Sequence, residues 1–540
     1  YVMAKFSKAA TRKSTHRKAH PSASEIKETR NFEGRKSFTL PAKERLATRV
    51  MTSMVNEASF YGDTTSDLLK DLKEVAKTDP LFVLKLAAYT RNVMYLRSAP
   101  TFVLAHGSMI PEVKPYIRQW TPKILQRADE PAETLAAINT IFTDKGEKPV
   151  IPNSIKKGIS DALTKFDAYQ LMKYKGEGKP VNLWDVFNVC HPKPLNGEQA
   201  EMWKSFMNGE LNPAKTWETE LTKAGQTGKS KAKAWENIIP SMGYMALIRN
   251  LRNFIQEDLS DEMIDLVCKK LTNPKAVASN KQLPFRYFSA YRELEKLIGS
   301  DSIERSTYVR LRLEGDDFGM FKAPEEKTRV KKLMKAVDEA MQISVQNVSQ
   351  LSGTTAIFSD HSGSMDDLIS QKSSITRLQI AMVLHSIADH LNPVNVGAIF
   401  GESIKAVDSE GLSPMKFIKK MVKTDVGHST NAWLCFDHLT KSNVKVDRVI
   451  LLSDMQCYDS YSGYGRSSRS IDDKWEVYRK TVNPDAWLHS IDLAGYGTSV
   501  VPDNAKNVSL LAGWNTKFLD VIQGIEKGVG GLIEEIENYS

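Results

Sequence analysis

The chain has 540 residues, 41% apolar and 26% charged, with 74 Lys and Arg against 65 Asp and Glu and a formal charge of +9. A chain of this length predicts two to four domains with a large core. No apolar run approaches the ~20 residues that span a bilayer, so no membrane is expected. The four cysteines, Cys190, Cys268, Cys435 and Cys457, have no C-x-x-C spacing, which argues against a zinc ribbon or a disulfide framework and for a reducing cytoplasm.

The charge is unevenly placed. Residues 1–350 hold 56 basic and 42 acidic side chains, a net of +14, and residues 351–540 hold 18 and 23, a net of −5. The cationic field of the first two thirds favours a polyanion such as nucleic acid, although composition alone fits a merely soluble basic domain equally well. The first 20 residues carry six Lys or Arg and no acid. Residues 1–21 are read as a disordered basic arm, with Met3 as the natural start. They lack the apolar core of a signal peptide.

From about residue 40 to 345 the pattern is helical. AKERLATRVMTSMVNEAS, DPLFVLKLAAYTRNVMYLRSA and AETLAAINTIF repeat apolar residues at spacings of three and four. Breakers at Gly62-Asp63, Asp79-Pro80, Glu130-Pro131 and Asn212-Pro213 separate the helices. Amphipathic helices on short turns predict stacked pairs, as in an α-solenoid, with a compact helical domain as the alternative.

From about 350 the rhythm changes. Strands are expected over 354–360, 395–400, 448–454 and 486–493, with an edge strand near 403–408. Helices are expected over 374–391, 413–423, 430–441 and 472–480, with a last one from about 516. A Gly/Ser-rich loop spans Cys457–Ser470. The alternation predicts a doubly wound, Rossmann-like α/β domain with a mostly parallel sheet. Ligands of such sheets bind beyond the carboxyl ends of the strands.

At that edge the first strand ends in Asp360-His361-Ser362-Gly363-Ser364, a D-x-S-x-S pattern. Gly427-His428-Ser429-Thr430-Asn431 forms a second loop, and a later strand ends in Ser453-Asp454. Two carboxylates and three hydroxyls suit a hard divalent cation, with magnesium the default. The plainer reading makes Asp360 and Ser362 turn and capping residues. A nucleophilic role for Ser362 is weaker, because it is not in a G-x-S-x-G elbow, although His361 adjoins it.

This constellation resembles the metal-ion-dependent adhesion site (MIDAS) of von Willebrand factor A (vWA) domains. The resemblance implies that Asp360, Ser362, Ser364, Thr430 and Asp454 hold the ion, the aspartates mostly through water. A partner's carboxylate often completes the shell in that family. Gly-His-Ser-Thr is one residue longer than the Gly-Gly-Thr of many A domains, which leaves Ser429 as an alternative to Thr430.

The helical part resembles TROVE modules. LMKYKGEGKPVNLWDVFNVCHPKP (171–194), AWENIIPSMGYMALIRNLRNF (234–254), KQLPFRYFSAYREL (281–294) and Leu96-Arg97-Ser98-Ala99-Pro100 carry the match. With the A-like domain they resemble the Ro ribonucleoprotein family from about residue 22 onward. The resemblance implies a TROVE module over 22–347, a ring of HEAT-like helical repeats, bridged by a vWA-like domain over 348–540. It implies a binding and RNA quality-control factor rather than an enzyme. Y RNA would lie on the basic outer face, and single-stranded 3′ ends of misfolded non-coding RNA would enter the central hole. An exoribonuclease tethered through RNA is a further implied partner. The alternative is a metal-dependent adaptor that captures a protein partner at the A domain.

Lys173 and Lys175 precede a Gly-rich turn and can reach a phosphate backbone. His191 and Lys193 sit in a Pro-bounded loop, where an imidazole can stack on a base or donate to a phosphate. In the family this histidine and the preceding lysines contact Y RNA. The plainer reading is a helix C-terminus with a dipole-complementing His and solvated lysines. Arg249 is read as structural and Arg252 is left open. Phe285-Arg286-Tyr287-Phe288 is read as core.

Overall fold

The computed structural model describes residues 27–30, 36–52, 64–144, 146–212, 217–227, 230–280, 282, 284–298, 324–348, 350–369, 375–391, 396–457, 470–502, 505–514, 518–527 and 531–540. The predicted arm, the Gly62-Asp63 breaker and most of the Cys457–Ser470 loop lie outside them.

From Ala42 to Val345 the described chain is helical. Sequence-local caps start many of these helices. Asp79 accepts from the Phe82 amide, with Pro80 as the first helical residue. Asp167 with Gln170 and Asn182 with Asp185 form capping boxes, which satisfy backbone donors that a helix start leaves open. Two lysines close helix ends in the same way. Lys165 Nζ donates to the carbonyls of Pro122 and Leu125 at 2.5 Å, and Lys270 Nζ to those of Ile239 and Pro240 at 2.7 Å. Each puts a cation on the negative end of the peptide dipoles. The segment DPLFVLKLAAYTRNVMYLRSA holds one helix, Pro80–Asn92, and the start of a second, Ser98–Gly107. Tyr95, at φ 57°, breaks them apart.

The C-terminal part is a six-stranded sheet whose strands run, across the sheet, β5 (Ile404–Ala406), β4 (Val396–Phe400), β3 (Thr355–Asp360), β6 (Arg448–Ser453), β7 (Trp487–Asp492) and β9 (Val508–Ala512). β5 is antiparallel to β4, and all other pairs are parallel. Every residue of β3 and β6 is buried, as a sheet covered on both faces requires. The alternation was legible except at its end. β9 lies in a stretch to which the sequence assigns no element, and Phe518–Glu526 and Leu532–Glu537 are two helices rather than one.

A second, small sheet joins the two ends of the chain. β1 (Glu28–Arg30) and β2 (Lys36–Thr39) form a hairpin that pairs with β8 (Thr498–Ser499). The helical part meets the α/β domain at both of its ends. At one, Tyr89 Oη donates to Glu535 at 2.8 Å and Asn92 Nδ2 to Tyr539 Oη at 3.0 Å. At the other, Lys419 Nζ donates to Glu295 at 2.8 Å, and the Met415 amide to Asp338 at 3.1 Å. The helical repeats and the vWA-type domain thus close a ring. No helix among the described residues is long and apolar enough to cross a membrane.

Candidate metal centre and RNA surface

Three segments converge at the carboxyl ends of β3 and β6. Asp360 is fully buried, and each of its oxygens is bound. Oδ1 accepts from the Ser362 amide at 2.8 Å, and Oδ2 from Ser453 Oγ at 2.6 Å. The first bond turns the chain so that Ser362 Oγ and Ser364 Oγ lie 3.3 Å apart. The Gly363 amide donates to the His428 carbonyl at 3.1 Å, which seats the 427–431 loop against D-x-S-x-S. That loop is fixed on the end of β4, where the Asn431 amide donates to the Gly401 carbonyl at 3.1 Å. Gly427 has φ +75°, and a Cβ there would stand 2.6 Å from Glu402 Cβ, so only glycine fits. Thr430 is buried by this packing and Ser429 half-buried. Asp454 is fully buried, with Oδ1 accepting from the Gln456 amide at 3.1 Å.

Burial, with the neighbouring Asp454 charge, pushes the Asp360 carboxyl well above the usual carboxylate range. Two like charges taken out of water oppose each other, and a hard divalent cation among carboxylates and hydroxyls is the partner that offsets both. The donor set therefore fits the ion expected from the sequence. Asp360, Ser362, Ser364, Thr430 and Asp454 would hold it. His361 is buried with Nε2 on the Val422 carbonyl at 3.1 Å, so its ring serves the packing of the helix Pro414–Lys423.

Sequence reasoning missed one acid at this edge. Asp492 ends β7 and is fully buried. Burial pushes its carboxyl up to about 7, with Asp454 adding to the rise and Arg377 opposing it. Its signal was only its place near the end of the strand predicted over 486–493.

The four candidate RNA residues form two pairs, at opposite ends of the helix Leu183–Cys190. Lys173 is exposed, with Nζ above the rings of Tyr169 and Tyr174 at 5.5 and 5.6 Å. Lys175 Nζ pairs with Glu177 at 2.5 Å and lies 5.8 Å from the Trp184 ring, at the helix start. His191 caps the helix end in the left-handed conformation, φ 45° and ψ 61°. Its side chain and that of Lys193 are exposed. The Lys193 amide donates to Ser160 Oγ at 3.3 Å, holding the loop on the helix Asn153–Leu163. Eight helical residues separate the pairs by about 12 Å. Lys156, on that neighbouring helix, lies in the electrostatic field of Cys190 and so adjoins the His191 end. Sequence order alone, 35 residues upstream, hid it.

Two further readings differ. Arg249, read as structural, is exposed, as is Arg286, and the charge of each opposes the other. Arg252 pairs with Glu293 at 3.7 Å. Of the aromatic cluster, Tyr287 and Phe288 are core, with Tyr287 Oη donating to Tyr244 Oη at 3.1 Å.

Comparison with known proteins agrees with this architecture. Telomerase protein component 1 of Mus musculus is 23% identical over 327 residues, which is 46% of this chain and 12% of that protein. The Rattus norvegicus protein of the same name matches to the same extent. The chain thus spans about an eighth of the length of these relatives. The crystal structure of Deinococcus radiodurans RO (RSR) protein superposes with a TM-score of 0.59 at 14% identity, over 90% of this chain and all of that one. That likeness speaks for the fold. The family model of the TROVE domain matches residues 35–210 and 201–353, well over half of the chain. On these residues, the chain belongs to the TROVE family, that of the Ro proteins.

Proposed function

We propose that this chain is the protein of a ribonucleoprotein that binds small structured non-coding RNA of the Y RNA kind on its basic outer surface. It holds single-stranded 3′ ends of misfolded RNA in its central hole and acts in RNA quality control. RNA binding as such comes with membership of the TROVE family. One observation carries the finer reading. His191 and Lys193 are presented to solvent from a left-handed cap that is pinned at its base. A rigid, exposed imidazole beside a lysine suits an RNA backbone and its stacked bases. In this reading the protein binds rather than catalyses, works in the cytoplasm, and allows an exoribonuclease to be tethered through the RNA. Its four free thiols fit a reducing compartment.

Filter binding of a small stem-loop RNA at several salt concentrations tests it. The affinity should fall linearly with log salt as counterions are released. The pair His191→Glu and Lys193→Glu should weaken binding at least tenfold without lowering the melting temperature. Unchanged affinity would remove the outer-face site.

The buried acid pair at Asp360 and Asp454 favours a second role beside the first. The A-type domain holds a divalent cation, most simply Mg2+, through Asp360, Ser362, Ser364, Thr430 and Asp454. Such an ion supplies a Lewis-acidic position at the sheet edge, where a protein partner would dock.

A further inference from the structure

Asp492 stands in the same row of the sheet as Asp360. It is in register with Ser453 of β6, and Ser453 Oγ donates to Asp360 Oδ2 at 2.6 Å. Paired residues of neighbouring strands project to one face. Asp360, Ser453 and Asp492 therefore line up across β3, β6 and β7, with Asp454 one residue beyond. No residue of the D-x-S-x-S, loop or Asp454 pattern accounts for Asp492.

Half of its carboxylate has a local task. Oδ1 accepts from the amides of Ala494 and Gly495, both at 2.8 Å, and shapes the turn after β7. Oδ2 is buried and has no hydrogen-bond partner among the described residues. Ser453 has one hydroxyl proton and gives it to Asp360. Its oxygen accepts from the Met455 amide at 3.1 Å. Arg377, the cation in the field of Asp492, donates to Tyr496 Oη at 2.7 Å and pairs with Asp367 at 3.1 Å. A buried acceptor left open is costly. A water bound to a metal ion would fill it, since such a water offers both a proton and a positive field.

We propose that Asp492 is an outer acid of the cation site, its Oδ2 accepting a hydrogen bond from a metal-bound water. Two strand spacings put about 10 Å between the backbones of Asp360 and Asp492. Among the described residues, no three Asp, Glu, His or Cys side chains stand at ligand spacing. Both facts favour action through water over direct ligation. The site then draws three negative charges from its own chain, which a divalent ion and the neighbouring Arg377 offset.

The surroundings agree with a self-contained site. The helix Ala42–Thr52, from the far end of the ring, lies over the turn that Asp492 shapes. A Cβ at Gly495 would stand 2.1 Å from Thr52 Oγ1, and one at Gly497 2.9 Å from an Arg49 guanidinium nitrogen. The cation braces the sheet edge on which the ring closes.

This rests on the metal reading of Asp360 and Asp454, and the test separates the two. Mg2+ and Mn2+ are titrated calorimetrically into the full chain, into Asp360→Ala and into Asp492→Asn. Asparagine keeps the oxygen that shapes the turn and removes the charge. Asp492→Asn should bind the ion 10- to 100-fold more weakly, with an unchanged melting temperature in chelator. If the unaltered chain takes up no ion, the metal reading fails and this one with it. If it binds and Asp492→Asn binds as tightly, Asp492 is only a turn residue and the proposal is overturned. Should Asp492→Asn fold poorly, Asp492→Glu serves instead. It retains the charge and should bind within threefold of the unaltered chain, and a loss as large as that of Asp360→Ala would count against an outer role.

Discussion

Lys43 and Glu537 stand 494 positions apart and form an ion pair at 2.6 Å. Both side chains are partly exposed, so the pair itself contributes under about 1 kcal/mol. The buried Leu532, Ile533 and Ile536 beneath it hold the last helix. Lys43→Ala should lower stability only slightly. Ile536→Asp, which buries an unpaired charge, should cost about 3 kcal/mol or more. It should also speed hydrogen exchange in the helix Pro80–Asn92, read by mass spectrometry. Equal effects of the two variants would contradict this account of the closure.

Gly495, at φ +73° and against Thr52, makes a close approach between the first helix and the sheet edge. Gly495→Ala should lower the melting temperature by an amount equivalent to about 2 kcal/mol, since both backbone strain and a clash are introduced. Adding Thr52→Ala should recover part of the loss. If it recovers none, the contact is not what makes alanine costly.

Asp360→Ala should abolish Mg2+ uptake in calorimetry and leave RNA affinity within twofold. The candidate metal residues lie on the α/β domain, while the candidate RNA residues lie on the helical one. A parallel loss of both activities would mean that the site supports the whole ring.

Lys156 adjoins the His191 loop and should share its phosphate contacts. Lys156→Glu should weaken stem-loop RNA severalfold and reduce the slope of log affinity against log salt by about 1. Lys420→Glu, a charge change on the α/β domain, serves as the control and should alter neither.

Burial holds the His385 imidazole down to about 3 and keeps His489 below its ordinary value. Below about pH 6.5 the unfolded chain takes up a proton at each that the folded chain refuses. The contribution of each therefore falls as pH falls, by about 1.4 kcal/mol per unit. Glu526 acts in the same direction further into acid. Its burial is outweighed by His489 and Arg448, which hold its carboxyl below the usual range. The buried Asp360 and Asp492 carboxyls, both pushed up, act in the opposite sense over the same range, so the histidine effect is read as a difference. The urea midpoint of the unaltered chain should lose ground to that of His385→Gln as pH falls from 6.5 to 4.

Much of this was legible in the residues. Asp79-Pro80 started a helix, the run before Asp360 made a buried strand, and D-x-S-x-S placed its hydroxyls within four positions of one another. Such signals are local, because caps, turns and periodicity act between neighbours in the chain. The TROVE and A-domain resemblances added long-range order that no periodicity supplies.

Only tertiary structure decided the rest. Asp492 joins Asp360 through strand register, Lys156 meets the His191 loop through helix packing, and the VSLLA run becomes a strand because β7 offers it a ladder. Arg249 and Arg286, on separate helices, share one exposed side. Each of these relations joins residues far apart in the chain. Their energy comes from surfaces that exist only once the chain has folded. What the residues determined alone was which segments are helix, strand or turn, and which carry oxygen or charge. Folding decided which of those oxygens and charges meet.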